Sequence, residues 1–203
     1  GSDLPDYMFG FSESALRSLG KDYAFNSLNV IAESQAVPTV IRLFLLDEFS
    51  PHLRGAIFLQ PLGCNPKIFA GTDQDRMEQL KIRVAKNASH QLTSLLIDSR
   101  LRYNYRLLSK TVSFGDPKSI AQYSSGLKYN SLPELKHLLR QGKKITIICG
   151  AKDKIFLADE IRTSLKDAGL KVPVQTIKGV PHSPLATKQG MKLLKAAFSE
   201  LDL

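Results

Sequence analysis

Asn29-Val30-Ile31-Ala32-Glu33-Ser34-Gln35-Ala36 is the stretch on which the reading of this chain turns. Its first half closes a short apolar run, Ser27 to Ile31, of the kind that forms a buried strand. Its second half passes at once into Val37-Pro38-Thr39-Val40-Ile41-Arg42-Leu43-Phe44-Leu45-Leu46, apolar enough for a buried helix. Pro38 suits the first helical turn, where its missing N–H has no use. A serine between a strand and a helix is either a helix cap or a residue held in a sharp turn. In the second case its hydroxyl projects from the carboxyl edge of the sheet, where open α/β sheets bind ligands. Such a turn asks for small residues two positions away on each side, and Ala32 and Ala36 stand there.

Further along, three more apolar runs read as strands. They are Gly55-Ala56-Ile57-Phe58-Leu59-Gln60, ended by Pro61; Lys144 to Cys149, ended by Gly150; and Val172 to Ile177, ended by Gly179. Helical patterns lie between and after them, over Ala158 to Ala168 and Lys188 to Leu201, with a short one at Ser14 to Leu19 stopped by Gly20. Continuous apolar strands alternating with helices predict an α/β fold, with a mostly parallel sheet covered on both faces. The second and third strands are separated by far more chain than a simple crossover needs. Helical spacing over Asp75 to Leu96, Arg100 to Lys110 and Leu132 to Leu139 makes residues 66–140 a predicted helical insertion over one end of the sheet. Residues 1–65 and 141–203 form the predicted core. A separate helical domain is the alternative, although no Pro/Gly/Ser-rich linker flanks the segment.

The chain has 203 residues, 43% hydrophobic and 8% aromatic, enough for a sizeable core and ordinary for a globular protein. Gly1-Ser2 reads as a cloning remnant, and no charged-then-apolar leader follows it. The longest apolar run, Val40 to Leu46, is broken by Arg42 and too short for a bilayer, so no transmembrane segment is expected. Cys64 and Cys149 allow one disulfide, but Cys149 sits in a strand-like apolar run and reads as a buried thiol. A reduced, cytoplasmic chain is expected. The net charge is +9, and residues 66–140 hold 13 Lys/Arg against 6 Asp/Glu, which places +7 there. These charges alternate with apolar residues at helical spacing, which describes a solvated helical face. With no recognised motif and no aromatic-basic platform, charge alone gives no specific nucleic-acid partner. No Cys/His spacing resembles a metal site, and no cofactor is expected.

Two further residues carry chemistry. Asp153 lies in Gly150-Ala151-Lys152-Asp153, directly after the third strand, where it forms a turn, caps the next helix or acts as an acid. His182 lies in Gly179-Val180-Pro181-His182, directly after the fourth strand. Singly, each has a plain structural reading. Together with Ser34 they give three residue types, each beyond its own strand and so at one edge of a parallel sheet. A serine hydroxyl is a poor nucleophile until a histidine accepts its proton, and the histidine needs a carboxylate to fix its tautomer.

The chain order Ser, Asp, His on this scaffold resembles the α/β-hydrolase superfamily. The strand-elbow-helix Asn29 to Ala36, the Gly150-x-x-Asp153 setting and His182 before a last helix carry the resemblance, and residues 66–140 lie where the family has its cap. It implies a serine hydrolase acting on a carboxylic ester, thioester or amide of a small-molecule acyl substrate. Ser34 is then the nucleophile, His182 the base and Asp153 the acid, with the Gln35 amide as an oxyanion donor. Two departures are plain: alanines replace the usual elbow glycines, and only 33 residues precede Ser34, too few for the family's earlier strands and second oxyanion donor. Asp3-Leu4-Pro5 with Phe9-Gly10-Phe11-Ser12 resembles the family's segment after its fourth strand, so the chain reads as starting there. Loss of one donor costs on the order of 10²- to 10³-fold in rate. The strand bearing Val30 is expected at an open apolar edge, to be covered by Tyr7-Met8-Phe9, by an identical subunit or by a separate amino-terminal half. A non-catalytic interaction module on a truncated or degraded hydrolase scaffold is the competing expectation.

Overall fold

The computed structural model describes residues 27–97 and 126–180, together with His182 and positions 13, 14, 17, 18, 191, 192, 195, 196 and 199. Four strands, β1 (Leu28–Glu33), β2 (Leu53–Leu59), β3 (Lys144–Gly150) and β4 (Val174–Ile177), form one sheet in chain order. All three pairings are parallel, with Val30 beside Ala56, Ile57 beside Thr146 and Ile147 beside Val174. Each strand stands where its apolar run predicts, with ends shifted by two residues or fewer. Among the described residues the α-helices that accompany them include α1 (Ala36–Leu43), α2 (Asp73–Ile97), α3 (Leu132–Arg140) and α4 (Ala158–Asp167). The predicted helices over residues 14–19 and 188–201 fall largely outside the described residues, as does the one over residues 100–110.

Side chains alternate across the strands, so β2 and β3 feed two apolar clusters, one on each face. Ala56, Phe58, Ile145, Ile147 and Cys149 join Ile41 of α1, Leu135 of α3 and Ile161 of α4 on one side. Ile57, Leu59 and Ile148 meet Ile177 and Val180 on the other, and all five are buried. Burial on both faces is why these strands read as unbroken apolar runs. β1 and β4 are the two edge strands among the described residues, and Ile31 of β1 is 38% exposed.

The predicted helix from Val37 to Leu46 stops three residues early. After Leu43 the amides of Leu45 and Leu46 bond to carbonyls three residues back, at 3.1 Å each, and the tighter winding ends the helix. α2 begins with a reciprocal cap: Thr72 N–H donates to Asp75 Oδ2 at 2.8 Å, and Asp75 N–H donates to Thr72 Oγ1 at 3.2 Å. α3 lies within the stretch 66–140, yet it packs against α1, and its Leu135 and Leu138 sit in the same cluster as Phe58. Met77 and Leu80 of α2 belong to that cluster too. Gly63 ties α3 to the loop after β2. Its φ is 84°, its carbonyl accepts from Ser131 N–H at 3.1 Å, and a Cβ there would stand 2.9 Å from Ser131 Oγ. Only glycine meets both demands.

Candidate active site

Ser34 leaves β1 with a φ of 53°, in the left-handed region that a serine rarely enters. Backbone bonds hold it there. Its N–H donates to Leu59 O at 2.9 Å, and its carbonyl accepts from Leu62 N–H at 3.2 Å and from Val37 N–H at 3.3 Å. The residue is therefore clasped between β2, the loop beyond it and the first turn of α1. Helix capping is not its task, because α1 has Gln35 at its N-cap position and no side-chain cap bond. Ala32 is packed into the core, whereas Ala36 is exposed, so only one of the two small neighbours is a packing requirement. Gln35 stands at the amino end of α1, whose first N–H groups lack intrahelical partners and carry the positive end of the helix dipole.

Asp153 lies three residues beyond β3 and is 1% exposed. Its two oxygens divide the work that the sequence leaves as alternatives. Oδ1 accepts from Ile155 N–H at 2.6 Å and Phe156 N–H at 3.2 Å, which shapes the loop. Oδ2 faces His182 Nδ1 at 3.0 Å. It does not cap α4, whose N-cap position is Leu157 and which has no side-chain cap bond. An ionised carboxylate only accepts, so Nδ1 carries the proton in this pair and Nε2 is left as the basic nitrogen.

The imidazole has a second support. It lies against Phe156, with ring centroids 5.6 Å apart and planes tilted by 37°, and Phe156 meets Phe69 edge-on at 6.1 Å. The loop that sets Phe156 is held from α2. Arg83 Nη1 donates to Ile155 O at 3.0 Å, and the same guanidinium pairs with Glu160 at 3.2 Å. Read from sequence as one charge on a solvated face, Arg83 is a clasp between the insertion and this loop.

The parallel sheet brings Ser34, Asp153 and His182 to its carboxyl edge, and it brings Asp153 and His182 into contact. Among the described residues no hydrogen bond joins Ser34 to His182. Sequence reasoning missed Gln60. It is fully buried, has a φ of 49° and stands directly beyond β2 at the same edge. With its amide in the orientation its neighbours require, Nε2 donates to Asp153 Oδ2 at 2.7 Å, and Oε1 accepts from Gly150 N–H at 2.5 Å. The only signal was an amide residue closing an otherwise apolar run. Both cysteines are free and buried, and burial pushes each thiol up to about 12. For Cys149 the negative charge of Asp153 adds to the rise.

No family model matches the chain, and no curated protein matches it. Its architecture does match solved structures. It is similar to an α/β-hydrolase from the metagenome of sediments from the lagoon of Mar Chica, Morocco, at 14% identity and a TM-score of 0.55, over 96% of this chain and 71% of that one. A carboxylesterase of the thaumarchaeon Nitrososphaera gargenis aligns at 12% identity and 0.56, over 96% and 72%. A bromoperoxidase from Bacillus anthracis aligns at 15% and 0.57, over 93% and 72%. The chain thus has a partial α/β-hydrolase fold.

Proposed function

We propose that this chain is a serine hydrolase acting on a small-molecule carboxylic ester, thioester or amide, with Ser34, His182 and Asp153 as nucleophile, base and acid. The observation that carries the reading is the 3.0 Å bond between His182 and Asp153, at the sheet edge where Ser34 is held with a φ of 53°. Ser34 Oγ attacks the carbonyl carbon as its proton passes to His182 Nε2. The oxyanion that forms meets the Gln35 N–H, and the leaving group departs with the proton from His182. Water then enters by the same route and releases the acid, restoring Ser34. Asp153 stays ionised throughout and balances the imidazolium. In this reading the Ser34–His182 hydrogen bond forms when a substrate enters.

Residues 66–140 act in this reading as a cap, whose basic surface suits an acyl group bearing negative charge. The outer edge of β1, beside the exposed Ile31, takes further strands from this chain, an identical subunit or a separate amino-terminal half. A protein monomeric at every concentration in sedimentation rules out the identical subunit.

A fluorophosphonate probe tests the chemistry. It is expected to label the protein once, and Ser34→Ala is expected to abolish the labelling. Labelling that survives the substitution overturns the assignment. A second reading, a non-catalytic interaction module, draws on the missing Ser34–His182 bond and the alanine elbow. It predicts no labelling and no turnover of short-chain aryl esters.

A further inference from the structure

Gln60 is an unfavourable residue for its place. Its φ of 49° lies where side chains other than Asn, Asp and His are seldom found, and its amide is buried with no exposure. A buried amide is kept only where its hydrogen bonds are made. Both ends of Gln60 make them at the candidate site, Nε2 on Asp153 Oδ2 and Oε1 on the N–H of Gly150, the last residue of the strand that leads to Asp153.

The acceptor count of Asp153 gives this meaning. An ionised carboxylate offers about four lone-pair positions. Ile155 and Phe156 fill two on Oδ1, and His182 and Gln60 fill two on Oδ2. The Oδ1 donors are backbone groups of the same loop and hold that oxygen alone. Gln60 comes from a different strand and shares its oxygen with the imidazole. The geometry points to Gln60 as a positioning residue: it stops the carboxylate from turning about its Cβ–Cγ bond and keeps Oδ2 where His182 Nδ1–H meets it. This rests on the reading of His182 and Asp153 as base and orienting acid, and adds Gln60 as the residue through which β2 sets their alignment.

Gln60→Met keeps the length of the side chain and removes both polar ends. The test compares it with the unaltered full chain in two measurements: kcat and KM for a short-chain aryl ester, and the proton resonance of His182 Nδ1–H. The expected result is a fall in kcat of about 10²-fold with KM little changed, as for a catalytic group displaced without loss of substrate contacts. The His182 resonance is expected to shift or broaden. Loss of kcat with that resonance unmoved, or a rise in KM with kcat kept, overturns the proposal. Should the variant not fold, a nuclear Overhauser contact between the Gln60 amide protons and His182 Nδ1–H in the unaltered protein supports the proposal, and its absence overturns it. If the unaltered protein neither turns over the ester nor takes the fluorophosphonate probe, the hydrolase reading fails by itself. The His182 resonance in Gln60→Met then decides the positioning role alone.

Discussion

Ser34 shows how backbone and chemistry compete at one residue. A side chain with a φ of 53° brings Cβ close to the following carbonyl, a conflict worth about 1–2 kcal/mol that glycine escapes. If the turn is kept for the hydroxyl, removing the hydroxyl leaves the strain without its purpose. Ser34→Ala retains the Cβ and Ser34→Gly removes it. Both are expected to lose probe labelling, while the glycine variant is the more stable of the two by about 1 kcal/mol, since part of the relief is offset by the entropy of an unfolded glycine. Thermal midpoints of the two variants check this, and an equal or lower midpoint for glycine shows that the elbow is unstrained. The sequence marked the serine through the strand before it and the helix after it. It left the φ open, because alanines at positions 32 and 36 permit a sharp turn without requiring one, and a helix cap was the other reading.

At the scale of elements, α2 and α3 both lie in the stretch that the sequence presents as one insertion, and both put side chains into the main core, although their outer faces differ. Leu135 of α3 is fully buried among residues of α1 and the sheet, and Ile82 of α2 is 47% exposed. Leu135→Ala is therefore expected to destabilise the whole protein by about 2–5 kcal/mol. Ile82→Ala should change stability by less than about 0.5 kcal/mol. Urea denaturation measures both, and a mild effect at Leu135 would return α3 to a separately folding insertion. Helical spacing located both helices, since a periodicity of apolar residues is local information. It was silent on what each apolar face meets. Arg83 illustrates the gap: its spacing fits a solvated face, and only the approach of α4 and the Asp153 loop turns it into a tie.

At the scale of the whole molecule, parallel pairing sends the carboxyl ends of the four described strands to the same edge, and that edge gathers Ser34, Gln60, Asp153 and His182. The apolar layers that support the edge also enclose Cys64 and Cys149, both pushed up to about 12 from an ordinary value of 9.0 by burial. Between those values the unfolded chain has lost thiol protons that the folded chain still holds. Stability then falls as pH rises, by at most about 1.4 kcal/mol per pH unit for each thiol. Tyr129, also raised chiefly by burial, adds to the loss above its ordinary value of 10.0. Urea midpoints are expected to decline from about pH 9 upward in the folded protein with free thiols. A flat profile from pH 9 to pH 11 would show that both thiols ionise without unfolding.

The sequence by itself determined the kind of sheet and the order of the chemical residues along it. Apolar runs such as Lys144 to Cys149 can be satisfied only by burial on both faces, and Ser34, Asp153 and His182 each follow such a run. Those are properties of short segments, so a single chain displays them. What meets what at the edge was decided by the tertiary structure. The Asp153 carboxylate receives donors from its own loop, from beyond β2 and from beyond β4, and these segments come together only through strand register and core packing. Local pattern carries no record of that convergence. Gln60 therefore passed as the end of a strand until the fold set its amide against Asp153.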